Sequence, residues 1–468
     1  VELKQNAHIH LIGICGTAMA SLAGILKSMG YHISGSDQNV YPPMSTQLEK
    51  LGIPIQTGFK KENLNDRPDL VIVGNVISRT NEEAQALLAS DIPYTSLPKA
   101  MGDFVIGDRE AIVIAGTHGK TTTTSLMAWV SDSIGAKAGF LIGGIPVNYG
   151  FSFRASLDNR FIIEGDEYDT AFFDKVPKFI HYKPKHVILS SIEFDHADIY
   201  ADLNAVKASF QKLLELIPED GTLIYHADDD NIRSLLKYCR AKNQFSYGLE
   251  NGDYQSVHRE VLQGRNQFGV RFRGTQVADL ALKVFGEHNT LNSLSVFAMA
   301  HVLHWPLNQV LQGMATFLGV KRRQELLGEP GGIAVIEDFA HHPTAVRLTM
   351  SSLRERFPGR RLLAVFEPRS ATSRRKIFQK DYVEAFMGAD LVFLASPFDQ
   401  TKISEGERFS TDELAADLHA KKHHAVTAPS VALLLKKILA EAKSGDVICL
   451  MSNGGFEGIY QKLLSSLS

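Results

Sequence analysis

Residues 111–124, AIVIAGTHGKTTTT, decide how this chain is read. The apolar opening, Ile112–Ala115, suits a strand buried on both faces, where alternation gives way to a continuous apolar run. A tight turn follows, Gly116-Thr117-His118-Gly119, and Lys120-Thr121-Thr122 then opens a helix. Strand, glycine turn and helix N-terminus in that order form a phosphate cradle. Glycines let backbone N–H groups close around the oxygens, and the helix end adds partial positive charge. Lys120 is long enough to reach the β- and γ-phosphates, and the Thr121 hydroxyl is placed to ligate Mg²⁺. The longer form of this loop would begin with glycine at position 114, which is Ile114 here, so the pattern is the shorter G-T-x-G-K-T-T. ATP with Mg²⁺ is the expected ligand, bound by Gly116, Thr117, His118, Gly119, Lys120, Thr121 and Thr122.

The whole chain sets wider bounds. Its 468 residues suggest about three domains at ~150 residues each. Apolar residues make up 44% and charged residues 22%, the balance of an ordinary globular protein. A net charge of −3 argues against nucleic acid or a membrane surface as partner, so anionic ligands must meet local cationic pockets. Cys15, Cys239 and Cys449 are scattered and odd in number, which fits a reducing compartment rather than a disulfide framework. No apolar run approaches the ~18 residues of a membrane span, and the opening VELKQN lacks a signal-peptide pattern. A cytoplasmic monomer or homodimer is expected.

Upstream of the loop, residues 1–108 read as a Rossmann-like α/β domain. His8–Ile14 suits a strand, the turn Gly13-Ile14-Cys15-Gly16-Thr17 leads into a helix through Met29, and Ile33–Gly35 suits a second strand ending at Ser36-Asp37. An acidic residue about 20 positions past the glycines marks nucleotide-binding βαβ units, although Cys15 stands where the middle glycine belongs. The same geometry serves any nucleotide diphosphate, including a UDP-sugar. Leu70–Gly74 predicts a further strand whose end carries Asn75 and Ser78, and Tyr41-Pro42-Pro43-Met44-Ser45 predicts a helix entry.

Downstream, residues 109–328 continue the phosphate-binding domain. Phe161–Ile163 predicts a strand ending in Glu164-Gly165-Asp166-Glu167, with Glu164 the preferred Mg²⁺ ligand because it comes first off the strand. Val187–Ser190 predicts another, ending in Glu193-Phe194-Asp195-His196. Leu203–Leu216 suits a helix. Gly286-Glu287-His288-Asn289-Thr290-Leu291-Asn292 opens one that sets Asn289 and Asn292 on a single face. Residues 329–468 form a second Rossmann-like pattern without a glycine fingerprint, with strands at Ile333–Glu337, Leu362–Phe366, Leu391–Ala395 and Val447–Met451. Polar clusters at Asp338–His342, Glu367–Ser370 and Ser452–Gly455 would share one sheet edge.

Taken together, the loop variant, the acidic strand end, the Asp195-His196 pair, HNTLN at 288–292, KRRQ at 321–324 and DFAHHP at 338–343 resemble the Mur ligase family of ATP-dependent amide-forming enzymes over the whole chain. The resemblance implies an α/β chain of three domains: an N-terminal Rossmann-like UDP-binding domain, a central P-loop ATPase-like domain and a C-terminal Rossmann-like peptide-binding domain. It implies catalytic roles for Lys120, Glu164, His196, Asn289, Asn292, Arg323 and Asp338. Thr121, Glu164 and His196 would hold the metal, and Asn289 and Arg323 would meet ATP. UDP-N-acetylmuramate would lie against Gly13, Cys15, Gly16, Thr17, Ser36, Asp37 and Asn75, with His341 and Arg369 facing an incoming peptide. The stretches EGDEYDTAFFDK, EFDHADIY, FEPRSATSRR and MSNGGFEGIYQKLL are most similar to members that add a murein tripeptide; members that add L-alanine are the alternative.

Overall fold

The structure, a computed structural model, describes residues 3–40 and 44–467. The predicted helix entry at Tyr41–Pro43 lies outside them; the helix itself spans Met44–Lys50. The described chain separates into two compact units. One comprises residues 1–193, 203–255 and 294–314, and the other residues 194–202, 256–293 and 315–468. By compactness, the segments 194–202 and 256–293 group with residues 315–468.

The first unit contains an all-parallel five-stranded sheet in the order Ile55–Thr57, His32–Asp37, His8–Ile12, Leu70–Val73, Tyr94–Ser96. Connections leave His8–Ile12 in one direction and resume from Leu70–Val73 in the other. The glycine turn Gly13–Thr17 therefore opens at the switch point, where such sheets bind ligands. Helix Thr17–Ser28 follows it. Gly24 on this helix lies so close to the Phe153 ring that a Cβ would collide with it, and the Ser21 and Ser152 hydroxyls are 3.1 Å apart.

The same unit holds a larger sheet in which Asn243–Gly248, Thr222–His226, Pro184–Leu189, Glu110–Ala115, Arg160–Gly165 and Gly139–Leu141 run parallel in that order. Register decides what meets at its edge. Ile114 pairs with Glu164 and with Ile188, and Ala115 with Gly165 and with Leu189. The phosphate turn, the acidic strand end and the strand end at Ser190 thus emerge at one level. The predicted strands grow by a few residues to Glu110–Ala115, Arg160–Gly165 and Pro184–Leu189, and helix Leu203–Leu216 has its predicted bounds.

The second unit is built on a six-stranded sheet in the order Glu325–Gly328, Ala334–Asp338, Val447–Met451, Leu362–Phe366, Leu391–Ala395, His424–Ala428. All neighbours are parallel except the first pair. The strands Glu325–Gly328 and His424–Ala428 were absent from the sequence reading. Both are edge strands with only partly buried faces, so they lack the continuous apolar run that marks the inner ones. A hairpin, Arg265–Phe272 with Thr275–Leu282, also belongs to this unit and escaped the reading because polar residues interrupt both of its half-exposed strands and leave no continuous apolar run.

His186, inside strand Pro184–Leu189, is 5% exposed, and its Nδ1 has no hydrogen-bond partner among the described residues. Burial, with Lys185 and Arg160 adding repulsion, pulls the imidazole down from the usual 6.5 to about 4. The unfolded chain takes up a proton that the folded chain refuses, so stability is full above pH 6.5 and is lost as pH falls toward 4. At pH 5 the loss from this group comes to about 2 kcal/mol. His186→Gln should flatten that part of the pH dependence. Thermal melts at pH 7 and pH 5 should converge in the variant relative to the wild type; equal pH slopes in both would refute the assignment.

Candidate active site

The phosphate turn is shaped by one residue and locked by its neighbours. Gly116 has φ +127°, and a Cβ there would collide with Ser190 and the backbone of Ser191. The turn is tied to the adjacent strand end on both sides. Thr117 N donates to Ser191 O (2.9 Å), His118 N donates to Ser191 Oγ (3.1 Å), Ser190 Oγ donates to His118 O (2.6 Å), and Glu193 N donates to Thr117 Oγ1 (2.8 Å). Gly119, at φ +83°, closes the turn onto helix Lys120–Ser133. A sulfate- or phosphate-sized anion would meet backbone N–H groups and a helix N-terminus here.

Lys120 reaches across the turn. Its Nζ donates to Gly116 O (2.8 Å) and to Glu167 Oε2 (3.0 Å), with Asp166 Oδ1 at 3.9 Å. Asp166 also accepts from Lys178 (3.0 Å), whose Nζ lies 4.1 Å from the centre of the Tyr168 ring. Burial alone would discharge these groups. It is outweighed, and the pairing raises Lys120 and Lys178 above the usual lysine range and lowers Asp166 below the usual carboxylate range. Two ammonium and two carboxylate groups thus balance beside the cradle. Lys178 went unnoticed in the sequence because an isolated lysine 13 residues past Gly165 carries no motif.

Thr121 and Glu164 come together as expected. Thr121 Oγ1 donates to Glu164 Oε2 at 3.1 Å, and Gly143 N donates to Oε1 at 2.5 Å. Glycine at 143 keeps space beside the carboxylate, since a Cβ there would stand 3.2 Å from both of its oxygens. A hydroxyl and a carboxylate next to a phosphate cradle are the oxygen donors Mg²⁺ prefers, so these residues fit that ion. Thr122 follows on the same helix, half-buried.

In the first sheet, the Gly13 and Ile14 amides both donate to Ser36 O, at 2.8 and 3.1 Å, and Cys15 N donates to Asp37 Oδ2 at 2.9 Å. Asp37 therefore braces the glycine turn from within the protein. Gly16, Thr17 and Asn75 are exposed around it. Burial first, then the Asp37 charge, pushes the Cys15 thiol up to about 11, which makes it unreactive as a nucleophile.

The second unit gathers a different group. Asp195 is buried; its Oδ1 accepts from Thr372 Oγ1 and from His196 N, both at 2.7 Å, and its Oδ2 lies 3.8 Å from His341 Nε2. Burial opposes ionisation, but His341, His196 and Thr372 together hold this carboxyl well below the usual range. The Tyr382 hydroxyl donates to His341 O at 2.5 Å, fixing the backbone that carries the imidazole. His342 turns the other way and caps helix Pro343–Arg356 through Thr344 N, as adjacent positions in regular backbone must diverge. His196 has φ +53°, a left-handed conformation uncommon for a side chain this size.

Asp338 is buried and held from three sides. Its Oδ2 accepts from Gln324 N (2.8 Å), and its Oδ1 from Ala340 N (2.7 Å) and Thr349 Oγ1 (3.3 Å). Burial raises its pKa, against the pull of Arg323. It pins the turn that carries Arg323 and the segment that carries His341. The adjacent arginines divide the work. Arg322 is bound to Glu337 Oε1 (2.7 Å), Ser452 O (3.0 Å) and Gly454 O (2.6 Å), while Arg323 lies over the Phe339 ring at 4.5 Å. Asn289 and Asn292 share a buried helix face: Asn292 Nδ2 donates to Asn289 Oδ1 (3.3 Å), and Asn289 Nδ2 to Phe285 O (2.8 Å). Arg369 lies flat on Phe398 at 3.7 Å and pairs with buried Glu367 at 3.4 Å.

Three family models match the chain in succession: the Mur ligase family catalytic domain over residues 8–109, the Mur ligase middle domain over 114–300, and the Mur ligase glutamate ligase domain over 322–454. The chain belongs to the Mur ligase family. It is an ATP-dependent ligase that forms C–N bonds, with the three-domain α/β architecture of that family. A Haemophilus influenzae relative named UDP-N-acetylmuramate–L-alanyl-γ-D-glutamyl-meso-2,6-diaminoheptandioate ligase is 40% identical over 462 residues, covering 98% of this chain and 99% of the relative. A UDP-N-acetylmuramate–L-alanine ligase from Clostridium tetani is 32% identical, covering 97% and 96%. Among solved structures, a murein peptide ligase from Psychrobacter arcticus is 35% identical, covers 98% of each chain and superposes with a TM-score of 0.72. Among the described residues no helix is long and apolar enough to cross a membrane.

Phosphoryl transfer by a Mur ligase is mostly positioning and charge neutralisation, so Lys120→Ala should cost about 10²–10³ in kcat, the range for losing one group aimed at developing charge. The far-UV circular dichroism should keep its wild-type shape, while the melting midpoint falls because Glu167 and Asp166 lose a buried cation. ADP release at the wild-type rate would remove Lys120 from the site.

Proposed function

We propose that this chain joins the murein tripeptide L-alanyl-γ-D-glutamyl-meso-diaminopimelate to UDP-N-acetylmuramate, as a step of peptidoglycan recycling in the cytoplasm. The observation that carries this reading is the end-to-end likeness to a ligase named for that reaction, closer than the likeness to the L-alanine ligase.

The chemistry follows from the reactants. A carboxylate is a poor acyl donor, so the lactyl carboxylate first attacks the γ-phosphorus of ATP and ADP leaves, giving an acyl phosphate. The peptide amine then attacks the carbonyl carbon and phosphate departs. Lys120 and the backbone amides of the cradle counter the charge on the transferring group. Thr121 and Glu164 would hold Mg²⁺, which would supply further neutralisation of the phosphates. The amine must lose a proton to become a nucleophile. His341, whose Nδ1 faces Phe339 O at 3.1 Å and whose Nε2 lies 3.8 Å from Asp195 Oδ2, has an acceptor on each side, so we assign it to orienting the peptide while the proton leaves to solvent. Arg369 offers a planar fork for a peptide carboxylate, pre-ordered by Phe398 and Glu367.

Tripeptide and free L-alanine should separate cleanly in one assay: ADP release with UDP-N-acetylmuramate and ATP saturating and each amine varied. The tripeptide is expected to be preferred, and preference for free L-alanine would refute the reading. Arg369→Ala should cost about 2–5 kcal/mol in tripeptide recognition, the range for stranding one partner of a charge pair. Arg369→Lys, which keeps the charge but loses the fork and the stacking, should recover only part of it. Unchanged tripeptide kinetics in both would clear Arg369 of the role. His341→Gln should raise the tripeptide KM by about tenfold, the size of one lost hydrogen bond to a charged group. It should leave ATP binding intact; a purely structural His341 would instead lower the melting midpoint and all substrate affinities together.

A further inference from the structure

The glycine turn of the first sheet is held from beneath by a carboxylate that the ligation chemistry does not use. Glu83, on helix Glu82–Leu88, is fully buried. Its Oε1 accepts from His10 Nε2 (2.9 Å), and its Oε2 accepts from the Ser36 hydroxyl (2.7 Å) and the Asn63 amide (3.0 Å). An ionised carboxylate can only accept, so His10 carries its proton on Nε2 and its Nδ1 accepts from the Ser34 hydroxyl at 2.8 Å. The Ser34 oxygen in turn accepts from His8 Nε2 at 2.8 Å. Every bond in this chain has one donor and one acceptor, which is what makes a buried polar network tolerable.

The end of the chain is where it meets the turn. Ser36 O receives both the Gly13 and the Ile14 amides, so the position of Ser36 sets the direction in which the turn leaves the first strand. Among the described residues the Ser36 hydroxyl is anchored by Glu83, and Ser36 is fully buried near the end of strand His32–Asp37. Nothing in this arrangement is needed for a sheet to form. A serine–glutamate pair inside an α/β core costs desolvation that an apolar pair would avoid.

We propose that Glu83, acting through Ser36, is a positioning residue for the nucleotide diphosphate of the acceptor substrate: it fixes the carbonyl that orients the Gly13–Thr17 amides toward the phosphates. This rests on the reading that UDP-N-acetylmuramate binds at that turn, and the experiment separates the two ideas. The full-length chain is titrated calorimetrically with UDP-N-acetylmuramate and with ATP, and the KM of each is measured, for Ser36→Ala, Ser36→Thr, Glu83→Gln and Gly13→Val. Ser36→Ala keeps the carbonyl but cuts the link, and Glu83→Gln turns an N–H₂ toward donors. Both should weaken UDP-N-acetylmuramate binding by about tenfold or more, the size of a lost hydrogen bond to a charged group. Their kcat and ATP affinity should hold, and Ser36→Thr, which retains the hydroxyl, should recover most of the loss. Gly13→Val reports on the turn itself, because φ is +84° there and a Cβ would stand 3.3 Å from Ile77. If Gly13→Val abolishes UDP-sugar binding while Ser36→Ala and Glu83→Gln bind as wild type, the positioning role is overturned and the acceptor reading stands. If Gly13→Val binds normally, both fall. A parallel loss of UDP-sugar and ATP affinity in Ser36→Ala would mark a merely structural link and also overturn the proposal. Should Glu83→Gln fail to fold, Ser36→Ala, which removes a single oxygen and strands no new donor, decides the question.

Discussion

A side chain at position 116 would have no room, and the phosphate-binding half of the molecule follows from that. With only hydrogen in the way, the turn after Glu110–Ala115 lies directly against Ser190 and Ser191 and exchanges hydrogen bonds with both. The close approach fixes the cradle to a neighbouring strand rather than leaving it a surface loop. Parallel register then brings Glu164 to the same level from the other side, one pairing position from the turn. The cradle, its lysine and its acidic partner are therefore set by backbone geometry first and by side-chain chemistry second.

Buried charge is the second organising theme, and it is handled in the same way in several places. Lys120, Glu167, Asp166 and Lys178 neutralise one another beside the cradle. Asp195 is answered by Thr372 and two histidines, and Asp338 by two backbone amides and a threonine. Such groups add little net stability compared with apolar replacements, because desolvation offsets most of the attraction. What they provide is a defined place for each cation and each amide, which is the quantity that phosphoryl and acyl transfer depend on.

Much of this could be read from the sequence, and the limits have physical causes. Inner parallel strands announce themselves as apolar runs, so Leu362–Phe366, Leu391–Ala395 and Val447–Met451 match their predicted bounds residue for residue. The motif residues near strand ends were legible for the same reason, since a run that stops before Gly116, Glu164 or Ser190 points to a sheet edge. Edge strands and the hairpin at Arg265–Leu282 were not, because half-exposed strands have no continuous apolar signature. Glu83 was invisible: a glutamate in the first turn of a helix is ordinary, and only the tertiary fold shows that this one is buried against His10 and Ser36. The donors outside the motif that hold Asp338, the Gln324 amide and the Thr349 hydroxyl, were equally out of reach, because only the tertiary fold brings them to it.

The strand order of the second unit bears on how the protein is made. Val447–Met451, the last strand in the chain, lies between Ala334–Asp338 and Leu362–Phe366 and is hydrogen-bonded to both. On the ribosome, the two halves of that sheet emerge with their shared centre still missing, so each exposes an unpaired apolar edge until residues 447–451 follow. Long-range parallel pairing is slow to form and prone to aggregate while it waits. The five-stranded sheet of the first unit has no such dependence, because all of its strands lie within residues 8–96 and can pair as soon as they appear. A chain interrupted before residue 447 would thus lack the middle of a sheet rather than its margin, leaving two unjoined edges.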